Sequence, residues 1–193
     1  MFTMHLRPLE LPRDAEALSA FDAGYDTHLL YRVERQGLGF VLVEERHAEP
    51  FRKRYDAEGF AEDVEDADFA LAAETDDGSL AGFACVRLEG WNRSAELSAL
   101  FVAPAHKGQG LGRRLLEQAV DFARASGARC LWLETQSSNH PAIGFYLKSG
   151  FAFSGLNTVL YDPRDTPPEE VALFFSRPLE PQKTLEPSPS PPH

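Results

Sequence analysis

The run Lys107-Gly108-Gln109-Gly110-Leu111-Gly112 limits what this chain can fold into more than any other stretch. Three glycines at alternate positions lead straight into Arg113-Arg114-Leu115-Leu116, the start of a helical apolar pattern. Ahead of them, Glu96 to Val102 reads as a strand closed by Pro104. A strand, a glycine turn and a helix start expose unpaired N–H groups, and the helix dipole adds about half a positive charge there. Glycine matters because a Cβ would hold an anion off the main chain. The spacing is not that of a nucleotide P-loop, which needs four residues between its first glycine and Gly-Lys-Ser/Thr. Nor is it the GxGxxG that opens a Rossmann unit: here it is GxGxG, mid-chain, after antiparallel strands.

The flanking chain supplies the rest of a sheet. Met4 to Leu9 reads as a short strand, and Pro12 opens a helix with Ala15, Leu18 and Phe21 on one face. Residues 30–35 and 40–45 are strand-like around Gln36-Gly37-Leu38-Gly39, which predicts a hairpin within 29–47; an acidic stretch follows from Glu58 to Asp68. Phe69 to Glu74 and Ser79 to Glu89, joined by Thr75-Asp76-Asp77-Gly78, form a meander with the strand ending at Val102. Apolar residues at 111, 115, 119, 122 and 123 predict a helix that stops at Ser126-Gly127. Arg129 to Thr135 reads as a buried strand, and Ser138 or Asn139 caps a second helix running through Lys148. Phe151 to Phe153 and Thr158 to Tyr161 read as closing strands. This order predicts a mixed α/β sheet in one domain, residues 1–177, with a Pro-rich tail over 178–193.

Charge narrows the partners. Thirty acidic against 19 basic residues give a formal charge of −11, which argues against nucleic acid and is compatible with a cationic small substrate. Cys85 and Cys130 sit in apolar strand-like runs and read as reduced core residues, so the expected location is cytoplasmic. No apolar run approaches the roughly 18 to 20 residues of a membrane span. The six histidines show no metal-ligand spacing, and there is no GxSxG elbow.

Two segments together resemble a known family. Lys107-x-x-Gly110-x-Gly112 is similar to the Arg/Gln-x-x-Gly-x-Gly/Ala motif with which GNAT N-acetyltransferases hold the pyrophosphate of acyl-CoA. Asn139-His140-Pro141-Ala142-Ile143-Gly144-Phe145-Tyr146-Leu147-Lys148-Ser149-Gly150-Phe151 is similar to that family's Asn-x-x-Ala-x-x-Phe-Tyr-x-x-x-Gly-Phe. The family likeness covers about residues 65 to 162. Leu133-Glu134-Thr135-Gln136, Trp91-Asn92 and the segment 49–55 extend it toward streptothricin acetyltransferases, over 29 to 162. Two departures stand out. Lys107 replaces Arg or Gln, and Ser98-Ala99 stands where those enzymes carry adjacent acidic residues.

The resemblance implies a GNAT fold: a mixed, mostly antiparallel twisted sheet splayed at its central strands and flanked by helices. It implies acetyl-CoA as cosubstrate, no metal, and acetyl transfer to a primary amine of a small molecule, a streptothricin-like antibiotic among them, by direct attack in a ternary complex. A homodimer is compatible with it. The donor site would comprise Lys107, Gly108, Gln109, Gly110, Leu111, Gly112 and Arg113 at the pyrophosphate. Leu100, Phe101 and Val102 would lie along the pantetheine through their backbone, with Asn139 and Tyr146 beside it. An amine of lysine type titrates near 10.4, so a base must take its proton and an acid should meet the departing thiolate. Tyr146 matches the family's acid; Glu96 and Glu134 are the candidates for the base, and Glu134 could instead hold the substrate's cation. Acetylation of a protein or peptide amine, and a sensor that binds acyl-CoA without turnover, are the rival expectations.

Overall fold

The computed structural model describes residues 4–55, 57–167 and 170–179. Its strands and helices are, in order, β1 Met4–Pro8, α1 Ala15–Ser19, β2 Tyr25–Gln36, β3 Gly39–Lys53, α2 Glu58–Glu65, β4 Phe69–Thr75, β5 Leu80–Glu89, β6 Ser94–Val102, α3 Leu111–Ala125, β7 Cys130–Gln136, α4 His140–Lys148, β8 Ala152–Asn157 and β9 Ala172–Pro178. Seven strands form one sheet in the order β1-β4-β5-β6-β7-β9-β8, while β2 and β3 pair separately as a hairpin. Every neighbouring pair is antiparallel except β6–β7. The mixed sheet expected from the element order is present, and it is mostly antiparallel, as the family resemblance implies. No helix among the described residues is long and apolar enough to cross a membrane.

Period and pleat assign the two faces. Leu111, Leu115, Leu116, Ala119, Val120 and Ala123 recur at helical spacing and are all buried, so α3 lays one stripe on the sheet and stops at Gly127, whose φ of +79° suits glycine. On the other face Leu18 of α1 and Phe60 of α2 cover an aromatic cluster. Phe83 sits at its centre, with ring centroids 5.2 Å from Phe21, 5.3 Å from Phe60 and 5.4 Å from Phe101.

The central strand changes face partway along. Up to Leu97, β6 turns Ala95 and Leu97 toward α3. Register then slips between Cys85↔Ala99 and Val86↔Leu97, leaving Ser98 as the extra residue of a bulge. Beyond it Ala99 and Phe101 face the aromatic cluster, and Leu100 and Val102 face α3. A bulge bends its strand and increases local twist. The parallel ladder with β7 accordingly holds only for Ser94↔Cys130, Ala95↔Leu131 and Glu96↔Trp132. From there β6 and β7 part, β7 staying with β9 as far as Gln136↔Ala172.

The hairpin is longer than the expected 29–47, and it docks on the open end of this gap. The Tyr31 N–H donates to the Ser137 carbonyl (2.9 Å), the Tyr31 ring stacks on His140 at 5.3 Å, and Lys53 Nζ donates to Glu170 Oε2 (2.7 Å). Glu170, almost fully buried, also accepts from Ser138 Oγ, which lies 2.9 Å from the Tyr25 hydroxyl.

Two sequence expectations need correction. Thr158–Tyr161 is a turn rather than a strand, because the Asn157 side chain accepts the Val159 N–H (2.9 Å) and turns the backbone. The closing strand is β9 instead, with Leu173 and Phe175 buried and Phe174 on the opposite face. It runs through Pro178, and the Leu179 N–H donates to the Arg129 carbonyl (2.9 Å), two residues past the expected domain boundary. Residues 180–193, where the sequence places the tail, lie outside the described residues. The acidic stretch after residue 57, left unassigned by sequence, contains α2. Replacing Phe83 by Ala removes the ring at the centre of the aromatic cluster and should cost about 3 to 5 kcal/mol in urea unfolding.

Candidate active site

The parting of β6 and β7 opens a cleft of about 500 Å³. Leu97, Ser98, Leu100, Phe101 and Val102 line one side and Glu134, Thr135 and Gln136 the other. Pro141, Ala142, Phe145 and Tyr146 of α4 flank it, with Tyr25 and Tyr55 of the hairpin segment and Lys107, Gly108 and Gly112 of the glycine turn. Beyond Glu96 the β7-facing edge of β6 has no ladder partner among the described residues, so those N–H and C=O groups between residues 97 and 102 that do not face β5 stand open to the cleft.

At one end the glycine turn has the conformation its sequence requires. Gly108 and Gly110 have φ of +76° and +82°, and a Cβ at either would meet nothing within 4 Å, so the turn presents bare backbone. The first helical bond of α3 runs from the Arg114 N–H to the Gly110 carbonyl, and the N–H groups of 108–113 have no backbone partner among the described residues. Leu111 is buried in the core, so only its N–H is available, whereas Arg113 is exposed. A Cβ on Gly112 would sit 3.5 Å from Val102 and 3.7 Å from Phe145, the close packing that sets α3 against the cleft. Gln109 folds back on the Ala105 carbonyl (3.0 Å). Lys107 Nζ donates to the Gly24 carbonyl (2.7 Å), and burial holds its pKa below the usual lysine value.

At the middle, Asn139 does two things at once. Its Oδ1 accepts the Ala142 N–H (3.2 Å) and caps α4, while its Nδ2 donates to the Tyr55 hydroxyl (3.2 Å), which in turn donates to Gln136 Oε1 (2.7 Å). The Tyr146 ring packs on Phe145 and Phe151, and its hydroxyl makes no hydrogen bond among the described residues. Burial raises its pKa, and the fields of Tyr55 and Glu134 raise it further, so it stays protonated at neutral pH.

The two candidate bases differ. Glu134 lines the cleft and accepts a hydrogen bond from Tyr161 through Oε1. Burial raises its pKa; the Tyr161 hydrogen bond opposes this, and the carboxylates of Glu96 and Glu170 add to it. Glu96 is outside the cleft lining. It stands opposite Arg87 in the β5–β6 ladder, with Arg87 Nη2 3.0 Å from its Oε2. Burial raises its pKa too, against the pull of Arg87. Neither cysteine lines the cleft, and burial pushes the Cys85 thiol up to about 12.

Sequence reading does not single out Tyr25, Tyr55 and Gln136, which line the cleft, or Tyr161 and Glu170, which hydrogen-bond to Glu134 and Ser138 near it. Gln136 directly follows Glu134-Thr135 and could have been found from that run; the others lie far along the chain and carry no local spacing signal.

A sequence model of the acetyltransferase (GNAT) family matches residues 40–151. A streptothricin acetyltransferase of Streptomyces lavendulae is 40% identical over 173 residues, which is 86% of this chain and 91% of that protein. This chain belongs to the GNAT acetyltransferase family and is an acyltransferase. The crystal structure of a nourseothricin acetyltransferase superposes with a TM-score of 0.82 at 39% identity, covering 92% of this chain and 99% of that one. A putative streptothricin acetyltransferase from Bacillus anthracis, crystallised with acetyl coenzyme A, shares the fold at a TM-score of 0.74 and 21% identity, covering 91% and 97%.

If the glycine turn holds an anion, Gly110→Asp should weaken acetyl-CoA binding by more than tenfold in calorimetry. Gly110→Asn, similar in shape and more tolerant of positive φ, should weaken it less, separating charge from backbone strain.

Proposed function

We propose that this chain transfers the acetyl group of acetyl-CoA directly to a primary amine of a cationic small molecule of the streptothricin kind. The observation that carries the reading is one cleft lined at one end by Lys107, Gly108 and Gly112 of the glycine turn and further in by Tyr146 and Glu134, with the bare amides of the turn beside it. The amides and Arg113 suit a pyrophosphate. The unpaired edge at Leu100 to Val102 suits the amide groups of a pantetheine arm, which would add to β6 as a strand would. Asn139 Nδ2 is at hand beside that arm. Lys107, held by Gly24, serves the turn as a brace, and the exposed Arg113, with no hydrogen bond or ion pair among the described residues, supplies a cation beside it.

On the acceptor side, Glu134 with Tyr55 and Tyr161 suits an ammonium on a partly apolar body. The net charge of −11 favours cations, and the 40% identical relative is named for streptothricin. With Ser98-Ala99 in the central strand, recognition of that cation falls to β7 instead. In the reaction Glu134 takes the proton of the ammonium, the nitrogen attacks the thioester carbonyl, and Tyr146 gives its proton to the leaving sulfur. Glu96 is the less well placed base, since it lies outside the cleft lining and its carboxylate is taken up by Arg87. A direct route agrees with the Cys85 thiol, too high in pKa to act as a nucleophile at neutral pH.

Thiol release from acetyl-CoA in the presence of streptothricin, set beside a panel of polyamines, amino acids and peptides, tests the reading. Turnover confined to peptides, or none with any amine despite tight acetyl-CoA binding, would overturn it. Tyr146→Phe should lower kcat roughly a hundredfold while leaving the acetyl-CoA Kd within about twofold.

A further inference from the structure

The connection between β8 and β9 is mostly in solvent: residues 158–160 and 163–165 are exposed. Tyr161 alone among 158–165 reaches across to β7, where its hydroxyl donates to Glu134 Oε1. The other oxygen of that carboxylate, Oε2, accepts no hydrogen bond among the described residues and is not sealed from solvent. One oxygen is anchored and one is open, on a strand that forms the cleft wall.

Resting on the acetyltransferase reading above, we propose that Tyr161 is the positioning residue for Glu134, fixing Oε1 so that Oε2 meets the acceptor's ammonium and takes its proton. The transfer leaves a neutral amine, whose lone pair is then free to attack, and a carboxylic acid at Glu134. A neutral donor suits this task. The guanidinium beside Glu96 takes up that carboxylate's charge in an ion pair, whereas a phenol orients a carboxylate without neutralising it.

The surroundings of Glu134 make the tether consequential. Its own strand and neighbours remove it from water. Glu96 on β6 and Glu170 ahead of β9 add negative charge, while Tyr146 on α4 and Tyr55 after β3 are neutral hydroxyls. All the charged neighbours named favour the protonated form of Glu134; the Tyr161 hydrogen bond favours the anion. Removing that bond should therefore move Glu134's titration to higher pH. A base must be deprotonated to work, so the acid limb of kcat/KM should move to higher pH with it.

The test uses the whole chain carrying 13C-carboxyl glutamate, titrated by NMR with no substrate present; Glu134→Gln identifies the Glu134 resonance. In Tyr161→Phe that resonance should titrate at higher pH than in the unsubstituted protein, and the acid limb of kcat/KM with streptothricin should shift the same way. The acetyl-CoA Kd should hold within about twofold, as expected of an intact fold. Val159→Ser, in the same turn, should move neither. An unmoved Glu134 titration in Tyr161→Phe overturns the proposal, whatever amine the enzyme acetylates. A shifted titration with an unmoved acid limb overturns the role in proton transfer. If the unsubstituted protein does not turn over streptothricin yet the titration shifts, the tether stands and the acceptor reading is what fails.

Discussion

Strands β6 and β7 pair for three residues and then part, and the site follows from that separation. Had the ladder continued, the edge of residues 97–102 would be satisfied by β7 and no ligand could reach it. The bulge at Ser98 bends β6 away, and the seven-residue ladder of β7 with β9 keeps the other strand from following. The cost of leaving backbone groups unpaired is offset where a ligand with amides of its own can take the vacant place. The aromatic cluster around Phe83 stabilises the displaced half of β6 from behind, since Phe101 belongs to both the cluster and the cleft.

The geometry of the proposed donor half, the glycine turn and the start of α4, is legible in the sequence because it is built locally. The glycine turn and the α4 motif each place their groups within a dozen residues, and secondary structure fixes the geometry between them. The proposed acceptor half is built from distant pieces. Tyr55 reaches Asn139 across 84 positions, and Tyr161 reaches Glu134 across 27. Hydrophobic periodicity carries no information about such meetings.

Glu96 shows a related limit. The family resemblance makes it a candidate for the base, since it lies in the strand before the glycine turn. Register with β5 sets it opposite Arg87 just before the bulge, and the cross-strand ion pair takes up the carboxylate. The misplaced closing strand has a different origin. Thr158 to Tyr161 has strand-like composition, but one side-chain bond from Asn157 suffices to turn so short a run, and the chain reaches β9 only later. Local hydrogen bonding prevailed over propensity there, and the turn set Tyr161 against β7.

The Lys107 ammonium is bound to the Gly24 carbonyl, one residue ahead of β2. The donor loop and the foot of the hairpin are thereby bolted together through one side chain. Under the proposed function, exchanging single side chains along β2 and β3 leaves that link to the donor loop in place. Re-seating the whole hairpin is a different matter, because it would pull on the glycine turn.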